Sequence, residues 1–303
     1  MSEGRSLGRW LLWPIRMLMF WSLAGCSVTV HPLPAFPDAP PVLPPPASEP
    51  AYSPLPAPPT PVPPPPADTG WTGAGPGVEV RHLSTSMATY APRLQVHMVR
   101  LDPALVRFHV AYAPDQPYVL SALCEPPGVL AAINGGFFEE NYRATALVIS
   151  EGTVLGTSYE GQGGMFAVDE AGQVSLRSLV EQPYDPNEPL VEALQGWPML
   201  VKPGGILASP HLNNTNRARR SVVATNRAGR VLLLAFSSSS LTLHELAGWL
   251  LASDLEIDAA LNLDGGSSTG LCLNSGGQRE RVEPFGVLPM ALLVLRTSDS
   301  SNE

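Results

Sequence analysis

The clearest pattern along the chain is the alternation of apolar and polar residues that is typical of half-buried β-strands. The segments 94–101 and 105–112 alternate in this way, and Asp102-Pro103 marks a turn between them. Shorter apolar runs bounded by Gly, Asp, Asn or Pro indicate further strands. We expect strands at 94–101, 105–112, 128–133, 145–150, 165–168, 174–176, 220–225, 231–236, 259–263 and 290–295.

One segment has the period of an amphipathic helix instead. Its apolar positions fall at i, i+3, i+4, i+7 and i+8, namely Leu243, Leu246, Ala247, Leu250 and Leu251. Thr242 and Glu245 form a capping-box sequence, which predicts a helix over 243–253. Residues 231–263 should therefore form a strand–helix–strand unit. The expected class is α+β, a single domain with a mixed, strand-dominated sheet and few helices.

Composition sets the limits of this domain. Of the 34 prolines, 18 lie between 31 and 67, a segment with no Lys or Arg whose charges are Asp38 and Glu49. Such a segment cannot bury enough apolar surface to offset its ordering entropy, and it is typical of a disordered, extended tether. We therefore expect a leader at 1–25, a linker at 26–69, the folded domain at 70–297 and a disordered tail at 298–303.

The N-terminus has the pattern of an export signal. Arg5, Arg9 and Arg16 precede an apolar run at 17–25, which is too short to span a bilayer as a helix. Leu-Ala-Gly-Cys at 23–26 resembles the bacterial lipobox, which implies cleavage before Cys26 and its lipidation. Ser27 is similar to the outer-membrane sorting pattern, so we expect an exported outer-membrane lipoprotein. The alternative is an ordinary signal peptide with a chance cysteine.

The net charge of −9 argues against a polyanionic partner. The basic cluster Arg217, Arg219 and Arg220 is too small for a nucleic-acid footprint, so we expect no nucleic-acid partner. The remaining cysteines, Cys124 and Cys272, are consistent with one disulfide in an exported protein or with two buried thiols.

Two apolar runs end in a polar residue followed by two glycines, and they are the main candidates for a site. One run ends at Asp264, followed by Gly265, Gly266, Ser267 and Ser268; the other ends at Asn134, followed by Gly135 and Gly136. A buried strand delivers its first polar side chain at the sheet edge, where ligand sites form. Glycines allow close backbone approach, and hydroxyls bind sugar or phosphate oxygens. The structural alternative is a strand followed by a tight turn.

Further candidates are less distinctive in the sequence. Arg220, followed by Ser221 at the start of a strand, could hold a phosphodiester, or it could be a charged strand edge. His211 is a candidate proton carrier, or a solvated loop histidine. Glu139 and Glu140 are candidate acids, although adjacent loop carboxylates usually face solvent.

In this order and spacing the motifs resemble the phosphodiester glycosidase family. The resemblance rests on Ile-Asn-Gly-Gly-Phe-Phe at 133–138, Gly-Trp-Pro-Met-Leu-Val at 196–201, Arg-Ser-Val-Val-Ala at 220–224, and the helix at 242–251 leading to Asn-Leu-Asp-Gly-Gly-Ser-Ser-Thr at 262–269. There are two departures from the family pattern. The segment that begins at Asp264 and ends at Thr269, here called the acidic loop, has two glycines where the family often has three. Trp197 stands before the proline of the second motif.

The resemblance implies hydrolysis of the sugar–oxygen bond of a sugar-1-phosphodiester in cell-envelope or extracellular glycans. Asp264 would be base, nucleophile or metal ligand, Arg220 the phosphate clamp, and Asn134 with Ser267 would hold sugar hydroxyls. The other binding positions would be Gly135, Gly136, His211, Ser221, Gly265, Gly266 and Ser268.

Two other functions stay open on the sequence alone. The same pocket could belong to a non-catalytic lipoprotein that binds glycan or peptidoglycan. It could also belong to a metal-dependent phosphodiesterase in which Asp264 holds a divalent cation with Asn134, Asn262 or Glu139. The need for a cofactor therefore also stays open, between none and one divalent cation.

Overall fold

The structure is a computed structural model, and it describes residues 67–86, 93–213 and 215–297. The predicted signal peptide, the lipidation site Cys26, the Pro-rich tether up to residue 66 and the tail at 298–303 lie outside the described residues. Within the described ranges, no helix has the length and apolar character needed to cross a membrane.

The described chain is built from β-strands, one α-helix and two short 3-10 helices. In chain order the strands are β1 (Thr72–Gly73), β2 (Val78–Ser86), β3 (Arg93–Leu101), β4 (Val106–Tyr112), β5 (Val129–Asn134), β6 (Val148–Ser150), β7 (Thr153–Leu155), β8 (Gly164–Asp169), β9 (Val174–Ser178), β10 (Leu190–Gly196), β11 (Met199–Lys202), β12 (Ile206–Leu207), β13 (Ala218–Asn226), β14 (Val231–Leu241), β15 (Ile257–Asn262), β16 (Leu271–Ser275), β17 (Gln278–Val282) and β18 (Met290–Arg296). Helix α1 spans Leu243–Ala252, and the 3-10 helices span Leu120–Cys124 and Gly266–Ser268.

The strands form three sheets rather than one. The first has the order β1-β2-β3-β14-β13-β15-β11-β12, the second β7-β6-β10-β8-β9, and the third β17-β16-β5-β18-β4. The predicted α+β, strand-dominated class is confirmed. Every named strand pair in the described residues is antiparallel. β14 and β15, which flank helix α1 in the chain, run in the same direction but are not hydrogen-bonded to each other, because β13 lies between them. The described sheets are therefore antiparallel and not mixed.

The first sheet is the middle layer of the domain. Leu232, Leu234 and Phe236 of β14 pack with Leu246 and Leu250 of helix α1 on one face. On the opposite face, alternate residues of the same strand join a core shared with the two five-stranded sheets; this core includes Leu233, Ile133, Phe166, Leu194 and Leu292. Both faces of the first half of β14 are buried, so residues 231–236 form a continuous apolar run instead of an alternating one.

Helix α1 confirms the helix predicted from sequence, with a small change in its buried face. The amide of Glu245 donates to Thr242 Oγ1 at 3.2 Å and the amide of Thr242 donates to Glu245 Oε2 at 2.9 Å, which completes the capping box. Leu243, Leu246, Ala247 and Leu250 are buried. Leu251 was expected on the apolar face, but it is 38% exposed because the helix packs on the sheet along a narrower stripe.

Several strands were not predicted from the sequence, and β2 and β17 show the reason. β2 contains His82, Ser84 and Thr85, so it has no apolar run, yet it pairs with β3 over nine positions. β17 carries three consecutive charged residues, Arg279, Glu280 and Arg281, and lies at the edge of its sheet. Strands of this kind are stabilised by main-chain pairing with a neighbour, which a local pattern does not reveal.

Cys124 and Cys272 form a disulfide, with their Cα atoms 6.3 Å apart. This decides between the two alternatives that the sequence left open. The bond joins the first 3-10 helix to strand β16, and both cysteines are buried with Leu120, Ala132 and Leu293. The two cysteines are 148 positions apart, and the loop that the bond closes includes strand β5, which ends at Asn134.

Reduction of this disulfide should lower the free energy of unfolding by about 5 kcal/mol, because the loop it closes in the unfolded chain is long. The measurement is chemical unfolding of the wild type and of the Cys124→Ser/Cys272→Ser variant, each with and without reductant. The variant serves as the control, since reductant should not change its midpoint. Equal unfolding midpoints for oxidised wild type and variant would contradict the prediction.

Candidate active site

The site lies where strands from two different sheets end side by side. Strand β5 of the third sheet ends at Asn134, and β15 of the first sheet leads into Asp264. The amide of Asp264 donates to Gly135 O at 3.1 Å, and the amide of Leu263 donates to Ser221 O at 2.9 Å. The structure thus brings the predicted residues around Asn134, Arg220 and Asp264 together although they are far apart in the sequence.

Asn134 is the hydrogen-bonding centre of the junction, the place where the ends of β5 and β15 meet. Its Nδ2 donates to Asp264 O at 2.7 Å and to Gly135 O at 3.2 Å. Its Oδ1 accepts from Ser221 Oγ at 2.6 Å and from the amide of Gly270 at 3.0 Å. The side chain is 1% exposed. Every donor and acceptor of the amide is engaged, so Asn134 positions the loops rather than a substrate.

This arrangement corrects two expected roles. Asn134 was expected to hold a sugar hydroxyl, but burial leaves it no face toward a ligand. Ser221 was expected to line the binding pocket, but it is 0% exposed and its hydroxyl is used by Asn134. Both residues are buried and do not face a ligand, and they support the site by fixing the positions of the strand ends.

The carboxyl group of Asp264 is partly buried at the start of the acidic loop. Burial raises its pKa above the usual range of an aspartate, because a charged carboxylate loses solvation there. Hydrogen bonds from the Ser268 hydroxyl and from the amide of Gly265, the latter at 2.9 Å to Oδ1, work in the opposite direction but do not offset the burial. The result is a carboxyl group with a higher proton affinity than that of a surface aspartate, which suits a general base.

Three glycines of the two motifs serve close packing rather than ligand approach. A Cβ atom on Gly135 would lie 2.3 Å from Met290 Cγ, and one on Gly136 would lie 2.3 Å from Gln195 O. On Gly265 it would lie 2.9 Å from Arg219 O. The expected direct contact of Gly135 and Gly136 with a ligand is therefore not what the structure shows, since both are buried against protein.

The rest of the acidic loop divides into an outer and an inner part. Gly266 has a φ of +59°, and apart from its chain neighbours no residue has an atom within 4 Å of the position of a Cβ there. Ser267 is exposed, whereas Ser268 is buried and bonded to Asp264. Gly266 and Ser267 are thus the loop residues that can face a ligand.

Arg220 lies directly beside this loop. Its Cδ would be 3.8 Å from a Cβ on Gly265. Its Nη2 donates to Asn216 O at 2.7 Å, while Nε is buried without a hydrogen-bond partner in the described residues. Burial lowers the pKa of Arg220, but a guanidinium stays protonated in proteins. A cation with an unused donor next to a carboxylate loop can bind an anionic group.

Arg219 is a residue whose importance the sequence did not show. It is 7% exposed, and its Nη2 donates to Thr269 O at 2.9 Å and to Glu283 O at 2.8 Å. The ring of Phe285 lies 4.6 Å from the guanidinium carbon. Arg219 therefore ties the end of the acidic loop to the segment after β17. No signal in the sequence distinguishes it from Arg220.

His211 is not part of this junction. It is exposed and lines a groove of 540 Å³ together with Trp197 and Lys202, and Asp264 does not line that groove. Glu139 and Glu140 are exposed on the loop after β5. The hydrogen-bond partners that affect the pKa of Asp264 are Ser268 and Gly265, not these side chains.

An aromatic cavity opens beside the junction. Phe137, Tyr159, Gln162 and Trp197 line a space of 300 Å³. The cavity is next to the strand ends because Asn262 Nδ2 donates to Trp197 O at 2.8 Å. Tyr159 and Gln162 come from an irregular segment without a recognisable motif, so sequence could not place them here.

A larger cavity of 980 Å³ lies elsewhere, between strands β4 and β8 to β10. Its lining includes His109 and Glu192, whose Nδ1 and Oε1 are 3.0 Å apart. The carboxylate also accepts the amide of Val110 at 2.8 Å. The pair thus links the third sheet to the second, and the cavity contains none of the predicted site residues.

The donor set of the junction does not favour a metal. Within the described ranges, no group of three or more His, Cys, Asp or Glu side chains could hold a metal ion. Asn134 Oδ1 is already shared by two donors, and Asn262 offers one amide oxygen without a partner. Ca²⁺ takes six to eight oxygen ligands, most of them from the protein, and the junction offers far fewer.

Comparison with known proteins assigns the chain to a family. A family model for phosphodiester glycosidases matches residues 127–288, which is more than half of the chain. The chain belongs to the phosphodiester glycosidase family. A search of curated proteins finds no match.

Two solved structures are similar in fold. The catalytic domain of zebrafish N-acetylglucosamine-1-phosphodiester alpha-N-acetylglucosaminidase, auto-inhibited by its pro-peptide, is 16% identical with a TM-score of 0.59, over 75% of this chain and 86% of that chain. A hypothetical protein from Synechocystis is 16% identical with a TM-score of 0.51, over 73% of this chain and 62% of that chain. At this identity the likeness shows the shared fold.

Substitution of Asn134 should destabilise the whole junction. Asn134→Ala leaves Ser221 Oγ, the Gly270 amide and Asp264 O without partners inside the protein, so we expect a loss of about 3 kcal/mol in the free energy of unfolding. Chemical unfolding checks this. Asn141→Ala is the control, since Asn141 is exposed and makes one loop hydrogen bond. Similar losses in both variants would contradict the central role of Asn134.

Proposed function

We propose that this protein hydrolyses the sugar–oxygen bond of a sugar-1-phosphodiester. The observation that carries the proposal is that Arg220, whose guanidinium has an unused buried donor, packs against Gly265, the residue that follows Asp264, whose pKa is raised. A carboxylate next to an available arginine fits a substrate in which a reacting carbon is attached to an anionic group. Membership of the phosphodiester glycosidase family supports the same reaction.

In this reaction Asp264, in its ionised form, takes a proton from a water molecule that attacks the anomeric carbon of the sugar. The new bond joins the water oxygen to that carbon. The bond from the anomeric carbon to the phosphate oxygen breaks, and its electron pair leaves with the phosphate monoester. Arg220 binds the phosphate and stabilises the charge that gathers there.

A single carboxylate is sufficient for this chemistry. Ordinary glycosidases use two carboxyl groups, one of which protonates a poor leaving group. A phosphate monoester carries its own negative charge and leaves without that proton. Glu139 and Glu140 are exposed to solvent, which is consistent with such a one-carboxylate site.

The substrate class and the cellular setting extend this proposal. A leader with a lipobox-like Cys26 and a Pro-rich tether would hold the domain near a membrane surface. The substrates would then be sugar phosphodiesters of cell-envelope or extracellular glycans. A glycan-binding lipoprotein without activity is the alternative, and turnover measurements separate the two.

Loss of the Asp264 carboxylate should abolish most of the activity. We expect Asp264→Asn to lower the rate about 10²- to 10⁴-fold, the range for a general base, on a sugar-1-phosphodiester with a chromogenic aglycone. Asp254→Asn provides the control, because Asp254 is an exposed acid that pairs with Arg81 far along the sheet. Full turnover by Asp264→Asn would rule out its assignment as the base.

The pH dependence of kcat/KM should report the raised pKa of Asp264. The base works when ionised, so the rate falls as the pH drops through this pKa, at a higher pH than for an ordinary aspartate. The Ser268 hydroxyl lowers the pKa of Asp264, so Ser268→Ala should move the acidic limb to still higher pH. Ser267→Ala is the matched control, because Ser267 is exposed and its loss should leave the acidic limb at the wild-type pH. A limb that moves to lower pH in Ser268→Ala would contradict the assignment.

A further inference from the structure

We propose that the substrate lies across the ends of three neighbouring strands, with its phosphate at Arg220 and an uncharged sugar ring on Trp197. Asp264 lies between the two, at the anomeric carbon. The inference deepens the proposed function and rests on it, because it states which side of Asp264 takes which half of the substrate. It also names Trp197 as a residue that determines specificity.

The strand order sets the direction of the substrate. In the first sheet β13, β15 and β11 are consecutive, so β15 has the Arg220 strand on one side and the strand after Trp197 on the other. The register pairs Val222 with Asn262, and Met199 with Leu261. Arg220 and Trp197 therefore flank the Asp264 loop. Two strand spacings correspond to about 10 Å, a distance comparable to a hexose joined to a phosphate.

Trp197 is held in place by main-chain contacts to the same strand. Asn262 Nδ2 donates to Trp197 O at 2.8 Å, and the amide of Asn262 donates to Pro198 O at 3.1 Å. The residue nevertheless remains 45% exposed. A large indole that is fixed by its backbone and open on its side-chain face can serve as a binding platform with little loss of conformational entropy.

The opposite walls of the cavity are also fixed. Gln195 is 2% exposed, and its Oε1 accepts the amide of Tyr159 at 2.8 Å while its Nε2 donates to Ser158 Oγ at 2.8 Å. The hydroxyl of Tyr159 lies 3.0 Å from Thr145 Oγ1. Phe137 follows the Gly135 loop, whose carbonyl holds the amide of Asp264. The aromatic cavity and the acidic loop are therefore held by the same main-chain segment, residues 135–137.

The lining of the cavity indicates the kind of sugar. Phe137, Tyr159 and Trp197 provide aromatic surface for the C–H face of a ring, and Gln162 provides an amide for hydroxyl or acetamido groups. None of the four lining side chains carries a charge. An uncharged hexose or N-acetylhexosamine fits this surface, whereas an acidic sugar would lose solvation there without a partner.

Binding of the two halves of the substrate can be measured separately on the full-length chain. Saturation-transfer NMR with methyl glycosides of neutral hexoses and N-acetylhexosamines tests the sugar side, and titration calorimetry with inorganic phosphate tests the arginine side. We expect Trp197→Ala to weaken sugar binding about three- to tenfold, the range for loss of one aromatic contact, and to leave phosphate binding unchanged. Trp197→Phe should retain most of the sugar affinity. Arg220→Gln should weaken phosphate binding and leave sugar binding unchanged.

Trp71→Phe is the matched control, because Trp71 is also partly exposed but stacks on Arg100 away from the junction. Sugar binding that survives Trp197→Ala, or that depends on Arg220 instead, would overturn the proposal, and so would the absence of any sugar binding. Because these measurements need no turnover, they are separate from the proposed reaction. A wild type that binds sugar through Trp197 and phosphate through Arg220 but hydrolyses nothing would support this inference and refute the hydrolase.

Discussion

The arrangement of the site depends on one buried amide. Asn134 joins four partners from different parts of the chain: Gly135 and Asp264 through its donors, and Ser221 and Gly270 through its acceptor. In a protein interior an unpaired polar group is costly, so these bonds specify a single geometry for the loops they join. The junction of two sheets is thereby fixed at the point where Asp264 leaves its strand.

The other features of the site follow from this fixed junction. The packed glycines let the loops approach each other, and Arg219 ties the far end of the acidic loop through Thr269 and Glu283. The Asp264 carboxyl group is consequently held where burial raises its pKa, with Arg220 beside it. A rigid acid next to an available cation is the kind of preorganised electrostatic environment on which transition-state stabilisation depends.

Much of this site could be predicted from the sequence, because apolar runs that end in Asn134 and Asp264 identify strands and their edges. The roles within it could not. Whether Asn134 faces a ligand or the protein depends on Ser221 and Gly270, which only the folded chain brings within reach. The number of sheets and the all-antiparallel pairing depend on long-range contacts for the same reason. Trp197 departs from the family motif in the sequence itself, but its place across from Arg220 follows from the order of β13, β15 and β11.

The bond that is cleaved tests the account most directly. If Asp264 activates water for attack at the anomeric carbon, the oxygen of that water ends in the sugar. Hydrolysis of a sugar-1-phosphodiester in oxygen-18 water, followed by mass spectrometry of both products, should therefore place the label in the released sugar and none in the phosphate monoester. Label in the phosphate monoester would mean attack at phosphorus, and it would contradict the roles of Asp264 as the base and Arg220 as the phosphate clamp.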